Sequence, residues 1–405
     1  MRMLATLSPE IKQYLVVTGN YWAFTLTDGA LRMLVVLHFN SLGYNPLEIA
    51  LLFLFYEFFG VITNLFGGWL GAKVGLNKTM NVGLTLQIAA LTLLLVPPEF
   101  LSVMLVMFAQ ALSGVAKDLN KMSAKSAIKL LVPENTSGKL YKWVAILTGS
   151  KNTLKGAGFF LGAALLSLFG FRGAILIMVF ALCLVLLSSL FLLRKDMGKS
   201  KNKPKFTQIF SKSEAINLLS AARLFLFGAR DVWFVVALPV YLSSTMQWDH
   251  WYVGAFLAIW IIGYGVTQTI APSITGNNRG IPQDGNAAFK WAVSLTLVPA
   301  LIAISFNLEQ YSIYMLLAGL VVFSILFAVN SSLHSYLILN YAREDGVSLD
   351  VGFYYMANAM GRLLGTVLSG FLYQQSGIVA CLWVSTLFIG IAALISKYLP
   401  KHQIA

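Results

Sequence analysis

Apolar stretches of about twenty residues recur from one end of the chain to the other, and this limits its fold more than any other feature. One such stretch crosses the roughly 30 Å hydrocarbon layer of a bilayer as a helix. Inside lipid only helices and closed barrels satisfy their own backbone. Spans are predicted at 14–39, 46–71, 78–97, 100–130, 140–168, 173–194, 215–243, 250–275, 286–306, 310–340, 350–374 and 378–399. With 58% hydrophobic and 11% charged residues and a mean hydropathy of +0.75, the expectation is an all-α polytopic membrane protein with twelve transmembrane helices. Twelve spans put both termini on one side. The N-terminus is expected to run into the first span with no cleavable leader.

The net charge of +13 would suggest nucleic acid as the partner of a soluble chain. Here it sorts by topology. Basic residues occupy the N-terminus (Arg2, Lys12), the second loop (Lys73, Lys78), the fourth (Lys139, Lys142), the eighth (Arg279, Lys290), the tenth (Arg343) and the C-terminus (Lys397, Lys401). The alternate loops carry only Arg172. By the positive-inside rule both termini are cytoplasmic. The lysine-rich sixth loop divides the chain into six-helix bundles at 1–194 and 214–405, joined by a cytoplasmic linker at 195–213. Its lysines are expected at anionic lipid headgroups, with no nucleic-acid role. Cys183 and Cys381 each lie alone in an apolar span, so neither a disulfide nor a metal site is expected.

Against this background the lysines inside two helices stand out. Lys117, Lys121, Lys125 and Lys129 recur every fourth residue, and Lys151 and Lys155 repeat the spacing on the next span. Residues four apart share a helix face. A lysine at the centre of a lipid-facing helix costs about 3 kcal/mol, so the stripe must face a polar cavity or snorkel to the cytoplasmic rim. Lys121 and Lys151 sit nearest that rim among the candidates, and Lys129 lies at it.

Other charges join them. In the first span Asp28 and Arg32 are i and i+4 and can pair; the pair either aids insertion or supplies a site cation and a proton-exchanging acid. Glu57, in LFYEFFG, suits a proton carrier or a partner for a lysine elsewhere. The seventh span adds Arg223, Arg230 and Asp231. Asn330 and His334 follow in the tenth, where the histidine reads as a structural hydrogen-bonding residue. Eight intramembrane cations (Arg32, Lys117, Lys121, Lys151, Lys155, Arg223, Arg230, Arg362) face four acids (Asp28, Glu57, Asp118, Asp231). Such a surplus needs an anion to complete it. Arginine matches phosphate or carboxylate oxygens, and lysine adds mobile point charge. The expected ligand is a small, multiply charged oxyanion. Lys117, Lys155, Arg230 and Arg362 are its predicted contacts, with Arg32 and Lys121 next. Asp28, Glu57 and Asp231 are the candidate proton-coupling acids.

The halves repeat weakly. MGRLLGTVLSGFLYQQSGIVA from Met360 aligns with TLKGAGFFLGAALLSLFGFRG from Thr153 at an offset of 207, matching Lys155 to Arg362, Gly158 to Gly365 and Gly170 to Gly377. GGWLGAKVGLNKTM, from Gly67, resembles the G-x-L-A-D-R-x-G-R-K loop of the major facilitator superfamily. Gly68, Leu70, Lys73, Gly75 and Lys78 fit; Ala72 and Leu76 replace its aspartate and an arginine. The fifth span resembles the superfamily's G-P-x-x-G-G followed by G-W-R, through Gly158, Gly162, Gly170 and Arg172. Gln110 stands where that family's proton exporters carry an arginine. The resemblance implies two pseudo-symmetric six-helix bundles, with gating roles for Gly68, Gly71, Lys73, Gly75, Lys78, Gly158 and Gly162.

The run from Asn20 to Asn81, and that from Gly114 to Leu166, resemble more narrowly the organoarsenical efflux permeases of the ArsJ type. That resemblance implies export of 1-arseno-3-phosphoglycerate from the cytoplasm, across a bacterial inner membrane, giving arsenate resistance. It implies a functional link to glyceraldehyde-3-phosphate dehydrogenase, which makes the ester when arsenate replaces phosphate. Two isolated cysteines agree, since trivalent arsenic wants clustered thiolates. The alternatives are an organophosphate or phosphate antiporter, and a transporter-like anion sensor. A cationic-drug exporter would need an acidic or aromatic cavity. No cofactor is expected, no enzymatic activity, and a monomer in lipid.

Overall fold

The computed structural model describes residues 9–43, 52–131, 137–193, 197–200, 213–248, 250–281, 283–307 and 312–401. Among them there is no strand, and twelve long helices run in chain order. These are α1 Pro9–Ser41, α2 Leu54–Val74, α3 Leu76–Leu93 and α4 Val103–Leu131. A continuous stretch, Ser137–Leu192, breaks at Gly170 into α5 (137–169) and α6 (171–192). Then come α7 Glu214–Phe234, α8 His250–Ile274, α9 Gly285–Ser305 and α10 Ser312–Tyr341. The stretch Val347–Ser396 breaks at Gly377 into α11 (347–376) and α12 (378–396). Most of the linker expected at 195–213 lies outside the described residues.

Six continuous stretches, all from Lys139 onward, are apolar and long enough to cross a membrane by length and composition. Polar residues dilute two of the four earlier helices: Asn77, Lys78, Asn81 and Gln87 in α3, and the lysines in α4. Pro239 accompanies the ragged end of α7, which continues as a short turn, Ala237–Val240, and one π turn, Tyr241–Thr245.

The chain forms two compact units: 1–140, 150–210 and 342–356 in the first, 141–149, 211–341 and 357–405 in the second. In the first, α4 packs against α1, α2 and α3. Its core gathers Phe24, Leu31, Leu34, Leu91, Val106 and Ile175. Arg172, at the start of α6, donates to the Leu95 carbonyl at 2.9 Å and so ties α6 to the end of α3. In the second, α10 packs against α7, α8 and α9 around an aromatic core. There Trp233 meets Phe323 edge-on at 5.1 Å, and Phe323 stacks on Phe327 at 5.5 Å.

The predicted repeat has structural counterparts inside each unit. Gly170 and Gly377 break their helices in the same left-handed, extended way, with φ 66°, ψ 179° and φ 72°, ψ −172°. A side chain on Gly158 would lie 2.6 Å from the Leu26 carbonyl of α1, and one on Gly365 would lie 2.5 Å from the Gly228 carbonyl of α7. Each glycine lets its helix touch the first helix of its own unit.

Candidate functional site

In unit 1 the site is built around Tyr56 of α2. Its hydroxyl donates to the Asp28 carboxylate, with 2.7 and 2.9 Å to the two oxygens. Its ring carries two cations: Lys117 Nζ of α4 at 3.8 Å and the Arg32 guanidinium of α1 at 4.8 Å from the centroid. Such contacts are worth about 0.5–2 kcal/mol each, more when desolvated. Tyr56 was not among the residues singled out by sequence; its place beside Glu57 in an apolar helix was the available signal.

Asp28 and Arg32, which can pair along α1, take other partners. Arg32 Nη2 instead donates to Glu57 Oε1 at 3.2 Å, and stacks over Phe53 as well as Tyr56. The reason is tertiary. α2 presents a carboxylate and a hydroxyl on successive residues, so each member of the α1 pair finds a partner on α2. Glu57 thus has an arginine partner where a lysine had been considered.

Along α4 the lysine stripe divides. Asp118, buried, forms an ion pair with Lys121 and lies 3.9 Å from Lys117 Nζ. Lys121 and Lys125, also buried, stand over the Tyr355 ring at 4.8 and 5.0 Å. Lys129 is half-buried near the end of α4. On α5, Lys151 and Lys155 are half-buried. Lys155 lies within electrostatic reach of Arg32, Asp28, Lys151 and Lys117. Among the described residues it makes neither an ion pair nor a hydrogen bond. Its backbone is held close to α1, where a side chain on Gly29 would come within 2.7 Å of the Lys155 carbonyl.

Unit 2 arranges its cations differently. Asp231, fully buried, accepts from Arg230 at 2.5 Å and from Arg362 Nε at 3.1 Å. Arg223, buried, donates to Asn358 Oδ1 at 2.8 Å and to the Ser331 carbonyl at 3.2 Å. It also stacks on Phe227 at 3.9 Å. His334 is buried near Arg223, and neither ring nitrogen has a partner among the described residues. Asn330 donates to the Trp291 and Leu326 carbonyls, a structural role.

The glycine loop is also placed. A side chain on Gly68 would lie 2.5 Å from the Ser348 carbonyl, and Ser348 Oγ donates back to the Gly68 carbonyl at 2.8 Å. Gly71 faces the same Ser348 side chain. Gly75, at φ 101°, makes the turn between α2 and α3. Lys73 lies over the Trp69 ring at 4.4 Å, and Lys78 is exposed. Gly162, one turn beyond Gly158, meets the Ala30 backbone of α1.

Residues 15–282 match a family model described as the Major Facilitator Superfamily. No curated protein sequence matches the chain. Among solved structures it is similar to the human organic anion transporter TETRAN, with a TM-score of 0.77 at 16% identity, covering 96% of this chain and 100% of that one. The fucose:proton symporter of E. coli gives 0.76 at 11% identity, covering 97% and 100%. A bacterial homologue of the iron transporter ferroportin, in an outward-facing state, gives 0.75 at 14% identity, covering 96% and 98%.

Proposed function

The chain belongs to the major facilitator superfamily, a family of multi-pass secondary transporters, and on that premise we propose that it exports a small organic oxyanion from the cytoplasm. The observation that carries this reading is Lys155: an intramembrane ammonium with no ion pair or hydrogen bond among the described residues, within reach of two further α1 and α4 cations, Arg32 and Lys117. A cation left in this state is costly unless a ligand completes it. An oxyanion does so, and Arg32 and Lys117, already braced on Tyr56, can share it.

The substrate we propose is 1-arseno-3-phosphoglycerate, from the resemblance to organoarsenical permeases of the ArsJ type. The ester carries two oxyanion groups and no trivalent arsenic. The cysteines fit this: Cys183 is half-buried in α6 and Cys381 buried in α12, with no thiolate cluster among the described residues. The protein would then act as a carrier, not an enzyme, working as a monomer beside a glyceraldehyde-3-phosphate dehydrogenase. Its place would be the bacterial inner membrane, with both termini cytoplasmic and no nucleic-acid partner. Alternating access would be driven by proton exchange at Asp28 or Glu57, with Asp231 a third candidate. Because the site reads oxyanion oxygens and not arsenic, an organophosphate antiporter is the competing reading.

Everted membrane vesicles decide between them. Accumulation of the arseno-ester that depends on an imposed pH gradient supports the proposal. Exchange of phosphate esters without net arseno-ester accumulation would establish the antiporter, and binding without flux would establish a sensor.

A further inference from the structure

We propose that Asp231 is a tethered counter-anion that masks an anion-binding position in unit 2, formed by Arg230 and Arg362. The argument starts from the internal repeat. Gly158 and Gly365 touch α1 and α7 in turn, and Lys155 and Arg362 each precede those glycines by three residues. Gly29 of α1 and Gly228 of α7 are the small residues that meet α5 and α11. Three residues after Gly29 stands Arg32; three residues after Gly228 stands Asp231.

Counted from those two glycines, the third residue therefore carries opposite charge in the two units. In unit 1 it holds a guanidinium, which adds to the field at Lys155. In unit 2 it holds a carboxylate, which takes both neighbouring arginines: Oδ1 accepts from Arg230 at 2.5 Å, and Oδ2 from Arg362 at 3.1 Å. The Arg230 guanidinium is held over Phe227 and Phe327 at 4.9 and 5.5 Å, so it is oriented before any ligand arrives. Two arginines converging on the two oxygens of one carboxylate present the geometry that recognises a phosphate or carboxylate ligand. Asp231 occupies that place as part of the chain. Unit 1 therefore holds the substrate's charge, and Asp231 sets how much more negative charge the protein accepts. The comparison of units rests on the reading of Lys155 as an open anion contact.

The test is equilibrium binding of labelled inorganic phosphate to the purified full chain. Asp231→Asn, and independently Asp231→Ser, should each gain one phosphate per chain over the unsubstituted protein. The gained site should vanish in Asp231→Asn combined with Arg362→Gln. In unit 1 the reciprocal change, Arg32→Asp, places a carboxylate where Lys155 can pair with it. It should bind phosphate about tenfold more weakly than Arg32→Gln, which removes only the cation. An unchanged stoichiometry in both Asp231 variants overturns the proposal, as does a gained site that survives loss of Arg362. If the Asp231 variants do not fold, equal binding by Arg32→Asp and Arg32→Gln overturns it. Lys155→Gln tests the underlying reading separately: phosphate binding that survives it refutes Lys155 as the open contact, whatever the Asp231 variants do.

Discussion

Replacing Lys155 with glutamine should weaken substrate binding without weakening the fold, a combination that a structural lysine would not give. Among the described residues the ammonium makes no ion pair or hydrogen bond, and its electrostatic surroundings comprise three cations, Arg32, Lys151 and Lys117, against the one carboxylate of Asp28. Removing the charge relieves repulsion, so the ligand-free protein should unfold at the same temperature or higher. With ligand the position reverses. One charge-assisted hydrogen bond is worth about 1.5–3 kcal/mol, which is about a 10- to 100-fold weaker Kd at 1.4 kcal/mol per decade. At a ligand concentration 100 times the original Kd, the unsubstituted protein gains about 2.7 kcal/mol from binding. The variant should gain only about 1.4 to 0.4 kcal/mol at that concentration, by the same relation. Thermal unfolding of the purified protein, with and without the arseno-ester or a phosphate ester, reads both quantities. The reasoning is refuted if Lys155→Gln lowers the ligand-free transition, or if the ligand-induced shift survives intact.

Asp118→Asn should behave in the opposite way, because it strands the buried Lys121 ammonium; breaking a buried pair costs about 3–5 kcal/mol, visible as a lower transition with or without ligand. Tyr56→Phe keeps the ring under Lys117 and Arg32 but removes the hydrogen bond to Asp28, so binding should fall little, within about tenfold. Tyr56→Ala removes the platform and should lose clearly more; equal effects from the two would show that the ring does not brace the cations. Gly158→Val should prevent stable insertion, since even a Cβ at that position would lie 2.6 Å from the Leu26 carbonyl, read as loss of the folded peak on size-exclusion chromatography. Asp28→Asn combined with Glu57→Gln should abolish pH-driven accumulation in vesicles while leaving ligand-induced stabilisation measurable; accumulation that persists excludes both carboxylates as the coupling groups.

The helix count was legible because bilayer thickness imposes one length on every span. The predicted span at 100–130 is α4 at Val103–Leu131, and that at 286–306 is α9 at Gly285–Ser305. The glycines at 170 and 377 could be matched by sequence because a left-handed residue between two helices has few substitutes. What stayed hidden was partner choice. Spacing alone allowed Asp28 to pair with Arg32, but spacing along α1 carries no information on α2, where Tyr56 and Glu57 compete for both. The aromatic platforms were missed for a related reason: a tyrosine in an apolar helix looks like core until a cation from another helix is seen above it.

The same limit applies to counting charges, which says nothing of how they pair. Eight cations against four acids suggested one shared cage. The structure distributes the acids unequally. Asp118 holds Lys121, Glu57 holds Arg32, and Asp231 alone takes two arginines. Asp28 is the exception among the four, since its carboxylate accepts a tyrosine hydroxyl and, among the described residues, makes no ion pair. It also stands within electrostatic reach of Lys155. Lys155 and Asp28 are therefore neighbours in unit 1, where Tyr56 braces Lys117 and engages Asp28. An anion bound at Lys155 would lie close to Asp28, so the proposed substrate contact and a candidate coupling acid share one small site. On that arrangement, loss of Tyr56 should disturb binding and coupling together, whereas loss of Lys121 should disturb neither beyond its effect on stability.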